Sequence, residues 1–435
     1  MDKTPLDSLT PTPNDMISWE ESLTILDRIC ADASPVPTET LDVSSSLGRI
    51  TAEASSSRFE LPPFNKSAMD GYALLVDDYR DEYDVIEHVQ AGQTASRTPE
   101  PGETVRIMTG APLPEGCDRV VPWEDTDNGM SRVKVNRQPT PPQNGCADMK
   151  GRTTSKGGDG IKTNVCVKGE DVLCGDIILP AGSLITPVVL ANLTACGVRT
   201  IEARQPVRVV VLTTGDELID LASHPTETLD PGMIVDANGP MLEGLIAERG
   251  DMELIQRRIV RDDLTSHVET IEQAASASDL ILLTGGVSAG DYDFVSAALQ
   301  EAGFTIHFDK VAVQPGKPLT LATRDNCIVC GLPGNPFSVL NAFHMNVLRI
   351  VRHLERRPIE PKSFFAPLEN IFQRRRARRA SFIPAKLNPS GTVETIPYHG
   401  SAHLLALHAA NGVFLVPQGT HEIPKGENVQ FFPRY

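Results

Sequence analysis

The chain has 435 residues, 40% of them hydrophobic, which is enough for about three domains with a sizeable buried core. Its 57 acidic against 40 basic residues give a formal net charge of −17, which argues against a protein that coats DNA or RNA, because phosphate contacts need lysine and arginine. An anionic small-molecule substrate remains compatible with that charge only where local positive groups or a metal offset the overall field.

Residues 1–15 are polar, acidic and punctuated by proline, without the basic-then-apolar order of a secretory signal. No apolar run approaches the roughly 20 residues of a membrane span. Eight cysteines without small-scaffold spacing read as reduced thiols. The expectation is a cytoplasmic chain with no membrane and no nucleic-acid partner.

Residues 18–30 predict an amphipathic helix, with Ser18 at its N-cap, Glu21 three residues on, and Leu23, Leu26 and Cys30 sharing a stripe. Short strand-like runs broken by Gly and Pro follow over 72–140 and predict a small β-rich module. Residues 140–164 are glycine-rich and polar and read as a loop. From Val207 the pattern becomes strand, loop, helix. Strands are expected at 207–212, 253–260, 280–283, 306–313 and 327–330, and helices at 239–249, 264–277, 292–302 and 336–355. Continuous apolar strands between helices predict a parallel or mixed sheet covered on both faces, with ligands collecting at the carboxyl ends of the strands. After Pro358 and Pro361, residues 362–435 read as a compact all-β module.

Three loops after strands carry carboxylates: Glu217 after the first strand, Asp262 after the second and Asp293 after the third. If the sheet is doubly wound these loops share one edge, and an oxygen-rich cluster there suits Mg²⁺. An acidic residue after a strand is equally a helix N-cap, a role that suits Asp262 or Asp263 before Leu264. Gly285 and Gly286, then Ser288, lie in a strand-to-helix loop whose backbone N–H groups could face an anion, or which is simply a tight turn. The stretch from Gly331 to Pro336, containing Pro333, has the same form, with Asn335 at N-cap and Pro336 at the first helical position. Lys317 sits on the turn Gln314-Pro-Gly-Lys-Pro318, where it is either a phosphate or molybdate contact or a solvated lysine. Cys327 and Cys330 have C-x-x-C spacing, but strand alternation sends them to opposite faces, so core packing is expected rather than metal binding. His399, His403 and His408 read as surface or capping residues. The run Arg374–Arg379 reads as a solvated face, with an anionic ligand contact as the second reading.

Taken in order, Ser67-Ala-Met-Asp-Gly-Tyr-Ala73, the stretch Arg106–Gly116, Gly169-Glu-Asp171, Thr214-Gly-Asp-Glu-Leu218, Ile234-Val-Asp-Ala-Asn238, Gly285-Gly-Val-Ser288, Pro315-Gly-Lys-Pro318 and Gly331-Leu-Pro-Gly-Asn-Pro336 resemble the molybdopterin molybdenumtransferase family, which includes MoeA and the C-terminal domain of gephyrin. The resemblance implies a multidomain α/β plus β fold. It divides into an elongated N-terminal domain (1–65 and 142–205), an inserted β-rich module (66–141), a three-layer α/β domain that binds molybdopterin and nucleotide (206–357) and a C-terminal β-barrel (358–435). It also implies a homodimer whose cleft lies between the α/β domain of one subunit and the N-terminal parts of the other, with a molybdopterin adenylyltransferase as a candidate partner. The implied reaction inserts molybdate into adenylylated molybdopterin and releases AMP with Mg²⁺. Asp70, Thr109 and Asp171 match cleft residues near the pterin. Lys317 is assigned to the oxyanion, Glu217 to the nucleotide phosphates, and Asp262 and Asp293 to the metal. Gly285, Gly286, Ser288, Pro333 and Pro336 are assigned to substrate binding. The sequence departs from the family at Asn65-Lys66, where Asp-Asn is usual, at Gln314, where lysine is usual, and at Pro384, in what looks like an arginine position. Residues 145–163 look inserted. The alternative is a weakened paralogue that binds molybdate, pterin or nucleotide as a sensor or scaffold.

Overall fold

The alternation of apolar residues in the middle of the chain is resolved into a six-stranded sheet in the computed structural model, which describes residues 16–137, 163–223, 228–285, 294–359 and 363–433. Its strands run in the order Met252–Val260, Val207–Thr214, Leu280–Thr284, Cys327–Leu332, Pro318–Arg324 and Thr305–Lys310. The first four are parallel, and Pro318–Arg324 is antiparallel to both of its neighbours. Two apolar layers form because successive side chains point to opposite faces. Val209, Val211, Leu280, Leu282 and Cys330 pack in one layer; Val210, Leu212, Ile281, Leu283 and Cys327 pack in the other. The two C-x-x-C thiols therefore lie on opposite faces, and burial pushes each up to about 12. They are core residues.

The sequence reading missed the Pro318–Arg324 strand, because the proline-rich turn before it reads as the end of ordered structure. It also took 306–313 as one strand. In the fold the chain breaks there: Thr305–Lys310 stays in the α/β sheet, while Val313–Gln314 crosses to pair in parallel with Ala380 and Ser381. The predicted helix 336–355 is continuous but changes hydrogen bonding midway, with a π-helical turn at Phe343–Val347 between Pro336–Ala342 and Leu348–Leu354.

The C-terminal strands form a second sheet, in the order Val313–Gln314, Ala380–Leu387, Gly412–Val416, Asn428–Pro433 and Phe364–Pro367, with Val393–Thr395 paired to Ala380–Leu387. A bridge from Leu368 to Val393 joins the two ends, so this sheet curls into a small barrel. Residues 66–137 carry a five-stranded sheet, ordered Cys117–Pro122, Gly71–Leu75, Glu103–Ile107, Glu82–Val89 and Arg132–Lys134. The remaining N-terminal elements include the ribbon of Thr38–Asp42 with Thr200–Arg204 and the helix Pro187–Ala195. No helix among the described residues is long and apolar enough to cross a membrane.

The helix Trp19–Asp32 starts where expected, with the Ser18 hydroxyl accepting the Glu21 N–H at 3.0 Å. It clamps the α/β part by a charged contact: Arg349 donates to both oxygens of Asp27, and His353 Nε2 lies 2.8 Å from the same carboxylate. Burial would raise the Asp27 pKa, but the bonds from Arg349 and His353 outweigh it and hold the carboxyl below its ordinary range. On the other side of the junction, Gly48 and Gly250 pass backbone to backbone. A Cβ on Gly250 would lie 2.9 Å from Gly48 Cα and 3.0 Å from its carbonyl oxygen. Gly250→Ala should therefore push the N-terminal part off the α/β sheet and cost about 1–3 kcal/mol, read as a lower urea midpoint; an unchanged midpoint would contradict this contact.

Candidate active site

The crossing at Val313–Gln314 sets the position of one candidate cleft. Because this short strand is stitched to Ala380–Ser381, the turn after it lies beside the barrel, with Gln314 and Lys317 exposed. Between them lies a cleft of about 470 Å³. The turn supplies Gln314, Gly316 and Lys317, the start of the next helix supplies Asn335 and Ser338, and the barrel side supplies Arg379, Tyr398 and Ser401. Asn335 stands at the N-cap position, but its side chain makes no capping bond. Instead the Ser401 carbonyl accepts the Phe337 N–H at 3.1 Å, and the Tyr398 ring packs edge-on against Phe337. These two contacts seat the 398–401 loop as a wall. Burial raises the Tyr398 phenol above its ordinary pKa, so it remains a neutral hydrogen-bond donor.

Among the described residues, neither Lys317 nor Arg379 has a carboxylate within ion-pair reach; Arg379 donates only to the Val313 carbonyl, at 3.3 Å. In a chain of net charge −17 this is a local concentration of unneutralised cations. The arginine run before it separates into two roles. Arg374 is structural, with its guanidinium donating to the carbonyls of Thr420, Pro417 and Arg379. Arg379 faces the cleft. Pro384 lies elsewhere: it is buried in the middle of the strand Ala380–Leu387, opposite Val413, and does not line the cleft. Pro384 therefore brings no cation at its own position, while Arg379 supplies one to the cleft.

A second cluster forms at the carboxyl ends of the parallel strands. The Gly215 N–H donates to the Val260 carbonyl, drawing the two carboxylate-bearing loops together. Asp216 and Asp262 then exchange bonds, each side chain accepting the other's backbone N–H at 3.3 Å. Asp263, not Asp262, caps the helix Leu264–Ala277 by accepting the Ser266 N–H at 2.8 Å, which leaves Asp262 free of the capping role. Glu217 is exposed on the adjoining loop and folds back over Gly215. Gly285 closes this edge at a φ of +92°, where a Cβ would lie 2.4 Å from the Thr214 carbonyl. Gly286, Ser288 and Asp293 lie outside the described residues, and so does almost all of the 145–163 insertion. The expected meeting of Glu217, Asp262 and Asp293 thus has two members in place on neighbouring loops. Among the described residues, no group of three or more His, Cys, Asp or Glu is arranged to hold a metal.

The oxygen chemistry nevertheless suits a hard cation. Among the described residues, the Thr214 hydroxyl and the Asn238 side-chain carbonyl oxygen are buried at the strand ends without a hydrogen-bond partner. Mg²⁺ takes one or two carboxylates and completes its shell with water and phosphate oxygens, and a carboxylate, a hydroxyl and an amide oxygen at this edge are donors of the type it accepts. Asn238 and Thr284 were missed in the sequence. The Asn238 amide donates to the Gly334 carbonyl at 2.7 Å and to the Thr284 hydroxyl at 3.2 Å, and Thr284 donates to the Pro333 carbonyl at 2.9 Å. This chain of bonds ties the Gly285 loop to the Gly331–Pro336 loop. The signals of these two residues in the sequence were that Asn238 ends the stretch Ile234-Val-Asp-Ala-Asn238 and that Thr284 directly precedes Gly285. Pro333 borders the cleft, whereas Pro336 begins the helix and does not line it.

The N-terminal candidates form a third group. Asp70 Oδ1 accepts both the backbone N–H of Thr109, at 2.7 Å, and its hydroxyl, at 2.8 Å. Asn65 joins this pair to the Asp171 loop: its carbonyl accepts the Leu113 N–H, and its side chain accepts the Lys168 N–H. Asp171 is exposed, with its backbone N–H bonded to the Leu61 carbonyl at 2.9 Å. None of Asp70, Thr109 and Asp171 lines the cleft between the turn and the barrel. The Thr109 backbone bond, then its hydroxyl, hold the Asp70 carboxyl below its ordinary range. A lowered folded-state pKa contributes stability above the unfolded value and loses it as pH falls through the folded value. Thr109→Val removes the hydroxyl alone, so the Asp70 titration followed by carbon NMR should move partway back up; an unmoved titration would show that the hydroxyl bond is not formed.

Comparison with known proteins covers almost the whole chain. Residues 17–197 match the family described as "MoeA N-terminal region (domain I and II)", residues 210–353 the "Probable molybdopterin binding domain", and residues 372–433 the "MoeA C-terminal region (domain IV)". A molybdopterin molybdenumtransferase of Staphylococcus epidermidis is 30% identical over 414 residues, covering 92% of each chain. One from Staphylococcus aureus is 30% identical over 415 residues, covering 93% of each. A crystal structure of a molybdopterin biosynthesis MoeA protein from Pyrococcus horikoshii superimposes with a TM-score of 0.77 at 25% identity, over 96% of this chain and 99% of that one. The ordered motifs, the mixed sheet with its loops at one edge and the barrel stitched beside it have the same explanation: the chain belongs to the molybdopterin molybdenumtransferase family.

Proposed function

We propose that this chain inserts molybdate into adenylylated molybdopterin and releases AMP, and that the cleft holding Lys317 and Arg379 receives the molybdate. The observation that carries this reading is the pair of cations without carboxylate partners on opposite walls of one cleft, beside the Ser401 and Tyr398 loop. A tetrahedral dianion can accept from the lysine ammonium, the guanidinium and the hydroxyls together, and charge-assisted bonds of this kind are the stronger ones. The strand-end cluster serves the phosphates. Asp262 would hold Mg²⁺ there with Asp293, and Glu217 would sit beside the nucleotide. When bound, the ion would neutralise charge on the phosphoanhydride as it breaks. The bonds from Asn238 through Thr284 to Pro333 fix the relative position of the two loops, so that phosphate and oxyanion ends of one substrate are held in register. Gln314 leaves the cleft with Lys317 and Arg379 as its cations; AMP release separates turnover from the binding-only alternative.

The test is AMP release from adenylylated molybdopterin and Mg²⁺ as molybdate is varied. Lys317→Ala and Arg379→Ala should each raise the molybdate concentration for half-maximal rate by roughly tenfold or more, since a hydrogen bond to a charged group contributes about 1.5–3 kcal/mol. Variants with the wild-type molybdate dependence would refute the assignment.

The same proposal includes a homodimer and a four-part division of the chain. Asp70, Thr109 and Asp171 do not line the cleft within one chain, and the N-terminal part exposes apolar side chains, among them Phe59, Leu173, Ile177 and Val188. A second copy would both cover these and bring its Asp70 loop to the cleft. Mixing Asp70→Ala with Lys317→Ala protein, after dissociation and reassociation, should restore roughly a quarter of wild-type activity, because half of the dimers are mixed and each mixed dimer has one intact site. Recovery no greater than that of the separate variants would exclude a shared site.

A further inference from the structure

The turn that presents Lys317 has a polar residue buried behind it to which the proposed chemistry gives no part. Asn346 is 1% exposed, and its amide nitrogen has no hydrogen-bond partner. It lies in the π-helical turn Phe343–Val347. One extra residue in a helical turn rotates the remainder of the helix by about 100°, and such turns recur at functional sites. Beside it is a narrow, partly open space of about 10 Å³, about the room one water molecule needs. Trp19 and Phe382, whose rings meet edge-on with centroids 5.1 Å apart, form its apolar sides. Pro315, Gly316 and Ser338 form the side towards the oxyanion cleft, and the same three residues border that cleft from its front.

We propose that Asn346 holds one buried water against the back of the Gln314–Pro318 turn and is thereby a positioning residue for the oxyanion cleft. An amide N–H buried among apolar rings is unfavourable unless something polar meets it, and a space of one water's size beside polar groups is the kind that stays hydrated. Ser338 and the Pro315–Gly316 peptide are the neighbours able to complete the water's hydrogen bonds. Gly316 rests on Ser338 and Pro333, within ordinary contact of a Cβ built there. The hydrated asparagine therefore supports the turn from the side opposite Lys317. Trp19 and Phe382 also bring the first helix and the barrel onto this support, so the turn is referenced to three parts of the chain at once.

This inference rests on the oxyanion reading of the cleft, and its test separates the two. Asn346→Leu has similar length but displaces the water, whereas Asn346→Ser keeps a hydroxyl and leaves room for a second water. In the AMP-release assay, Asn346→Leu should raise the molybdate concentration for half-maximal rate by roughly tenfold and leave the pterin KM unchanged, as expected when a contact residue is displaced by a fraction of an ångström. Asn346→Ser should recover most of the loss. Equal behaviour of the two variants, or a joint rise of both KM values, would overturn the proposal. If Asn346→Leu does not fold, the wild-type crystal structure at high resolution decides: a water within hydrogen-bond reach of Asn346 Nδ2 supports the proposal, and a dry cavity overturns it. Should Lys317→Ala leave molybdate dependence unchanged, the oxyanion reading itself fails; should Lys317→Ala shift it while Asn346→Leu does not, only the positioning role fails.

Discussion

Two residues of parallel pairing, Val313 with Ala380 and Gln314 with Ser381, hold the candidate site together. They take a segment out of the α/β sheet and make it the edge of the barrel. The turn after it is thereby fixed between the two sheets, and Lys317 and Arg379 line the same cleft. Without that seam the turn would be an ordinary solvated loop and its lysine an ordinary surface charge. Sites placed on the junction of packed elements keep their geometry because each wall has its own core behind it.

The α/β sheet contributes differently. Its parallel strands end together, so loops far apart in sequence arrive at one edge, and backbone bonds between them do the final placement. The reciprocal contact of Asp216 and Asp262 and the chain from Asn238 to Pro333 run across that edge. Among the described residues, the buried oxygens of Thr214 and Asn238 have no partner at this same edge. The two regions, one rich in oxygen and one in cations, suit the two ends of a substrate that carries a phosphoanhydride and receives an oxyanion.

Much of this was legible in the sequence, for identifiable reasons. Strand and helix periods in 207–355 are strong because the sheet is covered on both faces, and the Ser18 cap and the helix Leu264–Ala277 appear where local chemistry places them. The motif loops were found because glycine and proline mark tight turns. What was not legible depends on long-range pairing. The Pro318–Arg324 strand is set by its pairing with Thr305–Lys310 and Cys327–Leu332 on either side, whereas the departure of Val313–Gln314 to the barrel and the assignment of Arg379 rather than its neighbours to the cleft are set by contacts between residues more than 60 positions apart. Pro384, in what looks like an arginine position, lies within a barrel strand opposite Val413, a placement that only the pairing of that strand reveals. The choice of Asp263 over Asp262 as the cap was undecidable locally, since both precede the helix, and was settled by the backbone bond that Asp262 makes to Asp216.

One oxyanion held between Lys317 and Arg379 is the central claim. The most direct measurement is a crystal of the full-length protein soaked in molybdate or its heavier analogue tungstate, with the metal located by anomalous scattering. A peak in the cleft, its oxygens within hydrogen-bond reach of Lys317 Nζ, the Arg379 guanidinium and the Ser401 hydroxyl, is the predicted result. A peak that forms only at the strand-end cluster by Asp262, with the cleft empty at saturating oxyanion, would contradict the assignment.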